Sequence, residues 1–449
     1  MKIINYCDSE NAKNLSFFFT HLFYEDISSC SFLQEELLIF TFYIFKKLIN
    51  KTMPSHLENS NNINNNIFYS DFSFFIMNLL MKKIDIKNYF CSFIKDILNK
   101  IEDYNDNLSP DLEIISKNTG ILLLEDNIKI EINKKEKSVD EESNIKLKER
   151  LKKLIENSNN ILAKKIKDIK ESIKTNESNK NNENNYELLD PFFEKENISL
   201  SFLFEKLTYY QNIKNKNDLD FALLYYFENI TQEIISKGGP IEIYSNILLR
   251  NNLILTRFQV DDEKYSKIIS IFKFNYDFIT SFINILLIKI KENIKSLPLT
   301  LKYIFKIVEE LFQKKYSSEN KDLYHYNLLF LKARLYIGGM IIPSLSNVDS
   351  IGIFPDKITS KLAKDNINVI TEILKKAISG NLFLVDEIGF SLFDKFVLDI
   401  IPLILDIANN LNKDCTLPNN INKLFSKNLD HYDYFKEKIE ENIHYQTII

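Results

Sequence analysis

The sequence predicts an all-α protein, on three observations. Its 449 residues include only 8 Gly and 9 Pro, too few turn-formers for a sheet protein of this size. Leu, Ile, Phe and Lys dominate the stretches between Asn-rich gaps. Within those stretches apolar residues recur every three or four positions, the period of a helix with one buried face. At 45% hydrophobic residues the chain can build one large core or two ordinary ones. The excess of Asn, Lys and Ile is given no functional weight.

Taken in order, residues 12–50 and 68–103 read as aromatic-rich helices, separated by the polar gap 58–66. The stretch "GILLLEDNIKIEI" (120–132) alternates after a turn at Asp126-Asn127 and reads either as a short hairpin or as a helical extension. From 140 to 174 the chain is strongly charged. Leu147, Leu151, Leu154, Leu162, Ile166, Ile169 and Ile173 mark one long amphipathic helix, either packed along a single stripe or paired in a coiled coil. "TNESNKNNENN" (175–185) has nothing to bury and reads as a linker. The expected organisation is therefore a mostly helical N-terminal region (1–174), an Asn-rich linker (175–190), a helical domain (191–411) and a helical C-terminal tail (412–449).

Beyond the linker the helices are better marked. One begins at Asn217 or Asp218 and stops at Gly238-Gly239, and Pro240 opens the next, where a missing N–H costs nothing. That next helix carries "IEIYSNILLRNNLILTRF". Another begins beside Pro298, and "YNLLFLKARLYIGGMIIPSL" runs apolar into a Gly-Gly and a Pro. Ile370, Ile373, Leu374 and Ala377 form a core-facing stripe that ends at Gly380 as C-cap. Phe390, Phe393, Val397 and Ile400 share a face of the helix that follows.

Several function classes are disfavoured. A net charge of −5 and a pI near 5.8, with no dominant basic block, argue against a nucleic-acid binder. The scattered cysteines Cys7, Cys30, Cys91 and Cys415 form no CxxC pair and suit a reducing compartment. Cys91 has no neighbouring base, and the dispersed histidines have no metal-ligand spacing; His325, between two tyrosines, reads as packing or surface. The N-terminal stretch lacks the apolar core of a signal peptide, and the longest apolar runs are short or carry internal charges, so no membrane span is expected.

The stretch "ILLRNNLILTRF" (247–258) is the anomaly: an arginine and two asparagines set into an apolar helix. Asn251-Asn252 would interrupt the helix and let Arg250 point outward. The plain alternative is a helical arginine whose stem covers apolar surface while its head reaches water. Two further blocks follow it, "LPLTLKYIFKIVEELFQKKY" and "ITEILKKAISGNLFLVDEIGFSLFDKFVLDIIPLILDIA".

Together, over roughly 215–410, the three blocks resemble the Ras GTPase-activating (RasGAP) family. Arg250 takes the position of the family's arginine, Asn252 its asparagine, Ile254 its leucine, Thr256 its serine and Arg257 its basic residue; Asn251 replaces a glycine. The resemblance implies a RasGAP-like helical bundle with an appended N-terminal helical region. It implies a GTPase-activating protein that inserts Arg250 into the site of a GTP-loaded Ras-like small GTPase. The partner would hold GTP and Mg²⁺, so no cofactor is expected in this chain. The contact residues it implies are Asn251, Asn252, Thr256, Arg257, Lys332, Arg334 and Pro343, along a groove between the helix of Arg250 and that of 326–343. A cytoplasmic location follows, with recruitment to the inner membrane surface through the GTPase.

The chain departs from the family at the signature helix, which reads Phe-Leu-Arg, three residues, then Pro-Ala. Counted back from Pro343 the bracing arginine becomes Gly339; counted from Leu301, "FLK" (Phe330, Leu331, Lys332) falls in register. Lys332 or Arg334 would replace that brace only in part. The departure favours the alternative of an inactive module that holds the active GTPase as an effector or scaffold, as in the IQGAP branch. The third class is a helical scaffold with no GTPase partner.

Overall fold

The structure, a computed structural model, describes residues 38–39, 41–46, 49, 80–81, 84–104, 106–110, 114–115, 198–237, 239, 262–316, 321–346, 360–384 and 389–426. The stretch at 120–132, the charged helix at 140–174, the linker and "ILLRNNLILTRF" lie outside the described residues. Among those described, 85% are helical and none is in a strand.

The helices are α1 (Ile84–Glu102), α2 (Leu200–Asn212), α3 (Asp218–Ser236), α4 (Asp262–Asn293), α5 (Leu299–Tyr316), α6 (Lys321–Ala333), α7 (Ile342–Ser346), α8 (Lys361–Ser379), α9 (Asp394–Asn410) and α10 (Asn419–Ser426). A π-helical stretch, Arg334–Ile341, joins α6 to α7 without a break. Their ends follow local chemistry. At the start of α3, Asn217 Oδ1 accepts from the Asp220 N–H at 3.0 Å, and Asp220 Oδ2 accepts from the Asn217 N–H at 2.9 Å, a reciprocal capping box. Ser199 and Ser360 cap α2 and α8 through their hydroxyls. Helix α8 ends at Gly380, whose φ of 70° is the left-handed conformation that glycine adopts without a Cβ penalty.

Lys321–Ser346 is the central element. From His325 to Ile342 every residue except Gly338 is buried. A helix apolar on all faces is stable in water only when other helices surround it. Here α3 packs along it most extensively, with α5, α8 and α9 on its other sides. Tyr226 of α3 lies against Tyr326 and Phe330, ring centroids 6.4 and 5.7 Å apart. Two helical runs, Lys267–Ser296 and Lys321–Ser346, are long and apolar enough to cross a membrane by length and composition, contrary to the expectation from internal charges. The apolar window of the second is 89% buried by the protein itself, against 39% for the first.

One hydrophobic core cluster takes in residues on both sides of the Asn-rich segment, among them Phe42, Phe90 and Ile94 together with Phe305, Tyr336 and Ile401. Polar ties reinforce the contact. The fully buried Asn366 accepts from the Leu108 N–H at 2.9 Å and donates to the Asp106 carbonyl at 3.0 Å. Asn275 donates to the carbonyls of Asn107 and Ser109. Tyr89 and Tyr336 share a buried hydroxyl–hydroxyl bond of 3.0 Å. Four backbone groups of segment 106–110 are therefore bonded by side chains of the later helices, as an irregular segment packed against a core requires.

Gly389, with φ 87°, lies directly against this segment, and an added Cβ would overlap the Pro110 carbonyl oxygen. Gly389→Ala is expected to cost at least ~2 kcal/mol, from backbone strain together with that overlap. A lower urea midpoint with an unchanged m-value would register it.

Candidate functional site

Three residues implied as partner contacts, Lys332, Arg334 and Pro343, fall on the central run. Their surroundings follow from its burial. A cation inside an apolar helix bundle must find a counter-charge or several acceptors, since an unpaired buried charge is prohibitively costly.

Lys332 is 1% exposed and points into the interior. Its Nζ donates to Glu309 Oε2 of α5 at 3.1 Å and to Asn412 Oδ1, beyond α9, at 2.6 Å. The Asn412 amide donates in turn to Glu309 Oε2 at 3.0 Å, which closes a triangle. Lys306 adds a second cation, 2.9 Å from Glu309 Oε1 and 3.0 Å from Glu310. Burial pushes the Glu309 carboxyl up, but the Lys332 charge and the hydrogen bonds from Lys306 and Asn412 outweigh it, and its pKa falls from 4.5 to about 2. Burial moves Lys332 the other way, below the usual lysine range, with the Glu309 charge opposing.

Arg334, 6% exposed, caps another helix instead. Its Nε donates to the Ile378 carbonyl and its Nη2 to the Ser379 carbonyl, both at 3.1 Å. These are among the last carbonyls of α8, which have no partner within their own helix, and a cation there also meets the negative end of the helix dipole. Gly380 completes the arrangement: an added Cβ would lie 3.1 Å from the Tyr326 hydroxyl and 3.3 Å from the Phe330 ring.

Pro343 is half-buried and lies just past the π-helical stretch. In a regular α-helix its ring would collide with the carbonyl four residues back, and no N–H would be available to bond it. Widening of the turn, with the Ile342 N–H bonded to the Ile337 carbonyl, accommodates the proline without ending the helix.

The sequence pointed to a groove between the helix of Arg250, which lies outside the described residues, and that of 326–343. Over 326–343 only Gly338 and Pro343 are half-buried and the rest is interior. Lys332 and Arg334 are committed inside the protein and do not present their head groups at the surface. Arg250, Asn251, Asn252, Thr256 and Arg257 lie outside the described residues. His325 is a packed residue: it stacks on Phe221 with centroids 5.9 Å apart, and its Nε2 is 3.0 Å from Asp218 Oδ1. Among the described residues no group of three or more His, Cys, Asp or Glu side chains could hold a metal.

Sequence reasoning passed over Glu309 and Asn412, the partners of Lys332. No motif links positions 23 and 80 residues away from it. It also passed over Asp394, which accepts from the N–H groups of Phe383 and Leu384 at 2.7 and 2.6 Å and holds Leu384 at φ 48°. The helix stop at Gly380 was legible, but the anchor of the turn that follows it was not.

No protein-family model matches the chain, and no curated protein matches it either.

Glu309→Gln is expected to cost about 2–3 kcal/mol, because Lys332 remains buried without its counter-charge; Glu309→Leu with Lys332→Met should recover most of that loss. The pH dependence has a definite sign. Glu309 has a folded-state pKa below its unfolded one, so its contribution is complete above about pH 4.5 and is lost as pH falls towards 2. Denaturation midpoints of wild type and Glu309→Gln should therefore converge across that window.

Proposed function

We propose that the chain binds a Ras-like small GTPase in its GTP form and supplies Arg250 to accelerate hydrolysis. The observation that carries this reading is "ILLRNNLILTRF", followed in family order by the blocks that form α5 and the α8–α9 pair. The stretch lies in the chain between α3 and α4. Both helices contribute to the core, which supports a rigid frame on either side of a projecting arginine. A guanidinium is always charged, planar and multi-donor. It would neutralise the charge that develops on the γ-phosphate oxygens and hold the partner's water-positioning glutamine. Asn251, Asn252, Thr256 and Arg257 would shape the contact around it, with Pro343 as the accessible residue of the signature helix. GTP and Mg²⁺ belong to the partner, and the encounter takes place in the cytoplasm or at the inner membrane surface where such a GTPase is anchored.

One observation favours the second reading, an effector or scaffold that holds the GTPase without accelerating it. The cations nearest the family's bracing position, Lys332 and Arg334, are engaged with Glu309 and Asn412 and with the end of α8.

Single-turnover GTP hydrolysis by a panel of Ras-like GTPases separates the readings. The native chain is expected to raise the rate of at least one member, and Arg250→Ala to lose about 10³-fold or more of that gain while affinity stays within a few-fold. Binding of the GTP form at an unchanged rate would establish the effector reading, and no binding to any member would leave a helical scaffold.

A further inference from the structure

Where α4 ends, α5 begins and the chain leaves α9, a cavity of about 610 Å³ opens to solvent. Its charged lining is strongly one-sided. Lys291 and Lys295 come from the first wall, Lys302 from the second and Lys413 from the third, against a single carboxylate, Asp414. Lys291 is already neutralised by Asp406 at 2.8 Å. Lys302 donates to the Lys295 carbonyl at 3.1 Å, a contact that leaves its charge uncompensated. Three lysines thus converge from three directions on one half-open space, in a chain whose formal net charge is −5. Leu299, also in the lining, is the first residue of α5, so the positive end of that helix dipole faces the same space.

We propose that this cavity is a binding site for a small organic polyphosphate. Its volume falls within the roughly 300–1,000 Å³ of small-molecule pockets and exceeds what a lone phosphate would fill. Lysines are point-charge phosphate binders, and their placement on separate walls suits several phosphates around one scaffold. Tyr303 and Leu299 supply an apolar wall for that scaffold. The third wall is held in place from behind. Asn412, next to Lys413, is locked by Lys332 and Glu309, and the Cys415 N–H bonds back to the Asn412 carbonyl at 3.2 Å. A cradle ordered before the ligand arrives loses less entropy on binding. The same chemistry is offered by a soluble phosphorylated metabolite and by a phosphoinositide headgroup in a membrane.

Calorimetric titration of the full chain with inositol hexakisphosphate is expected to show one saturable site that weakens as salt is raised. Lys295→Glu with Lys413→Glu, both exposed positions, should weaken it about tenfold or more. Lys375→Glu, on α8 and outside the cavity, should leave it within about twofold. The ligand should also protect Lys295 and Lys413 of the native chain from amine-reactive labelling, a readout that needs no variant. Flotation with phosphatidylcholine vesicles, with and without phosphatidylinositol 4,5-bisphosphate, identifies the source. Lipid-dependent flotation that the soluble ligand competes away assigns the headgroup, and binding of the soluble ligand alone assigns a metabolite. No saturable binding below millimolar concentration, equal weakening by Lys375→Glu, or unprotected Lys295 and Lys413 would each overturn the proposal.

Discussion

A helix buried on all sides imposes a strict condition on every polar group it carries. Lys321–Ser346 meets that condition at each of its interior charges. Lys332 reaches a carboxylate on α5 and an amide beyond α9; Arg334 reaches the free carbonyls at the end of α8. Because those partners lie on three different elements, the two cations also fix how α5, α8 and the segment after α9 are arranged around the centre. The apolar contacts with Tyr226, Phe305 and their neighbours supply most of the cohesion, but they are non-directional. Hydrogen-bonded charges in a low-dielectric interior add the geometry.

The same logic extends to the N-terminal segment. Residues 106–110 are irregular, and an irregular backbone is stable inside a protein only when side chains take over its hydrogen bonds. Asn366 and Asn275 do this from α8 and α4, and Gly389 leaves room for the Pro110 carbonyl. Tyr89 adds a bond to the π-helical stretch itself. Residues before and after the Asn-rich segment thus share one core, and the late helices are built to receive the early ones.

The two proposals concern different places on the chain. The proposed arginine finger precedes α4, whereas the lysine-lined cavity lies at its far end, against the turn that carries Asn412. Asn412 belongs to the buried triangle and Lys413 to the cavity wall, so one step along the chain separates the internal support of the central helix from a surface with the charge to hold an anion.

Much of the architecture was readable from residue order. The helix start at Asn217 or Asp218, the entry at Pro298, the stripe Ile370–Ala377 and the stop at Gly380 all depend on interactions within a few residues, and the structure has each where the local chemistry puts it. So was the departure at "FLKARLYIGGMIIP", since the spacing of Lys332, Arg334 and Pro343 along one helix is a property of the string. The roles of those residues were not readable. Whether Lys332 faces water or Glu309, whether Arg334 reaches a partner or the end of α8, and whether Pro343 ends the helix or widens it depend on groups tens of residues away. Local sequence sets which segments become helices because capping and periodicity act over one or two turns. The burial of a charge, and hence its chemistry, is set by which helices surround it, and only the folded chain brings those together.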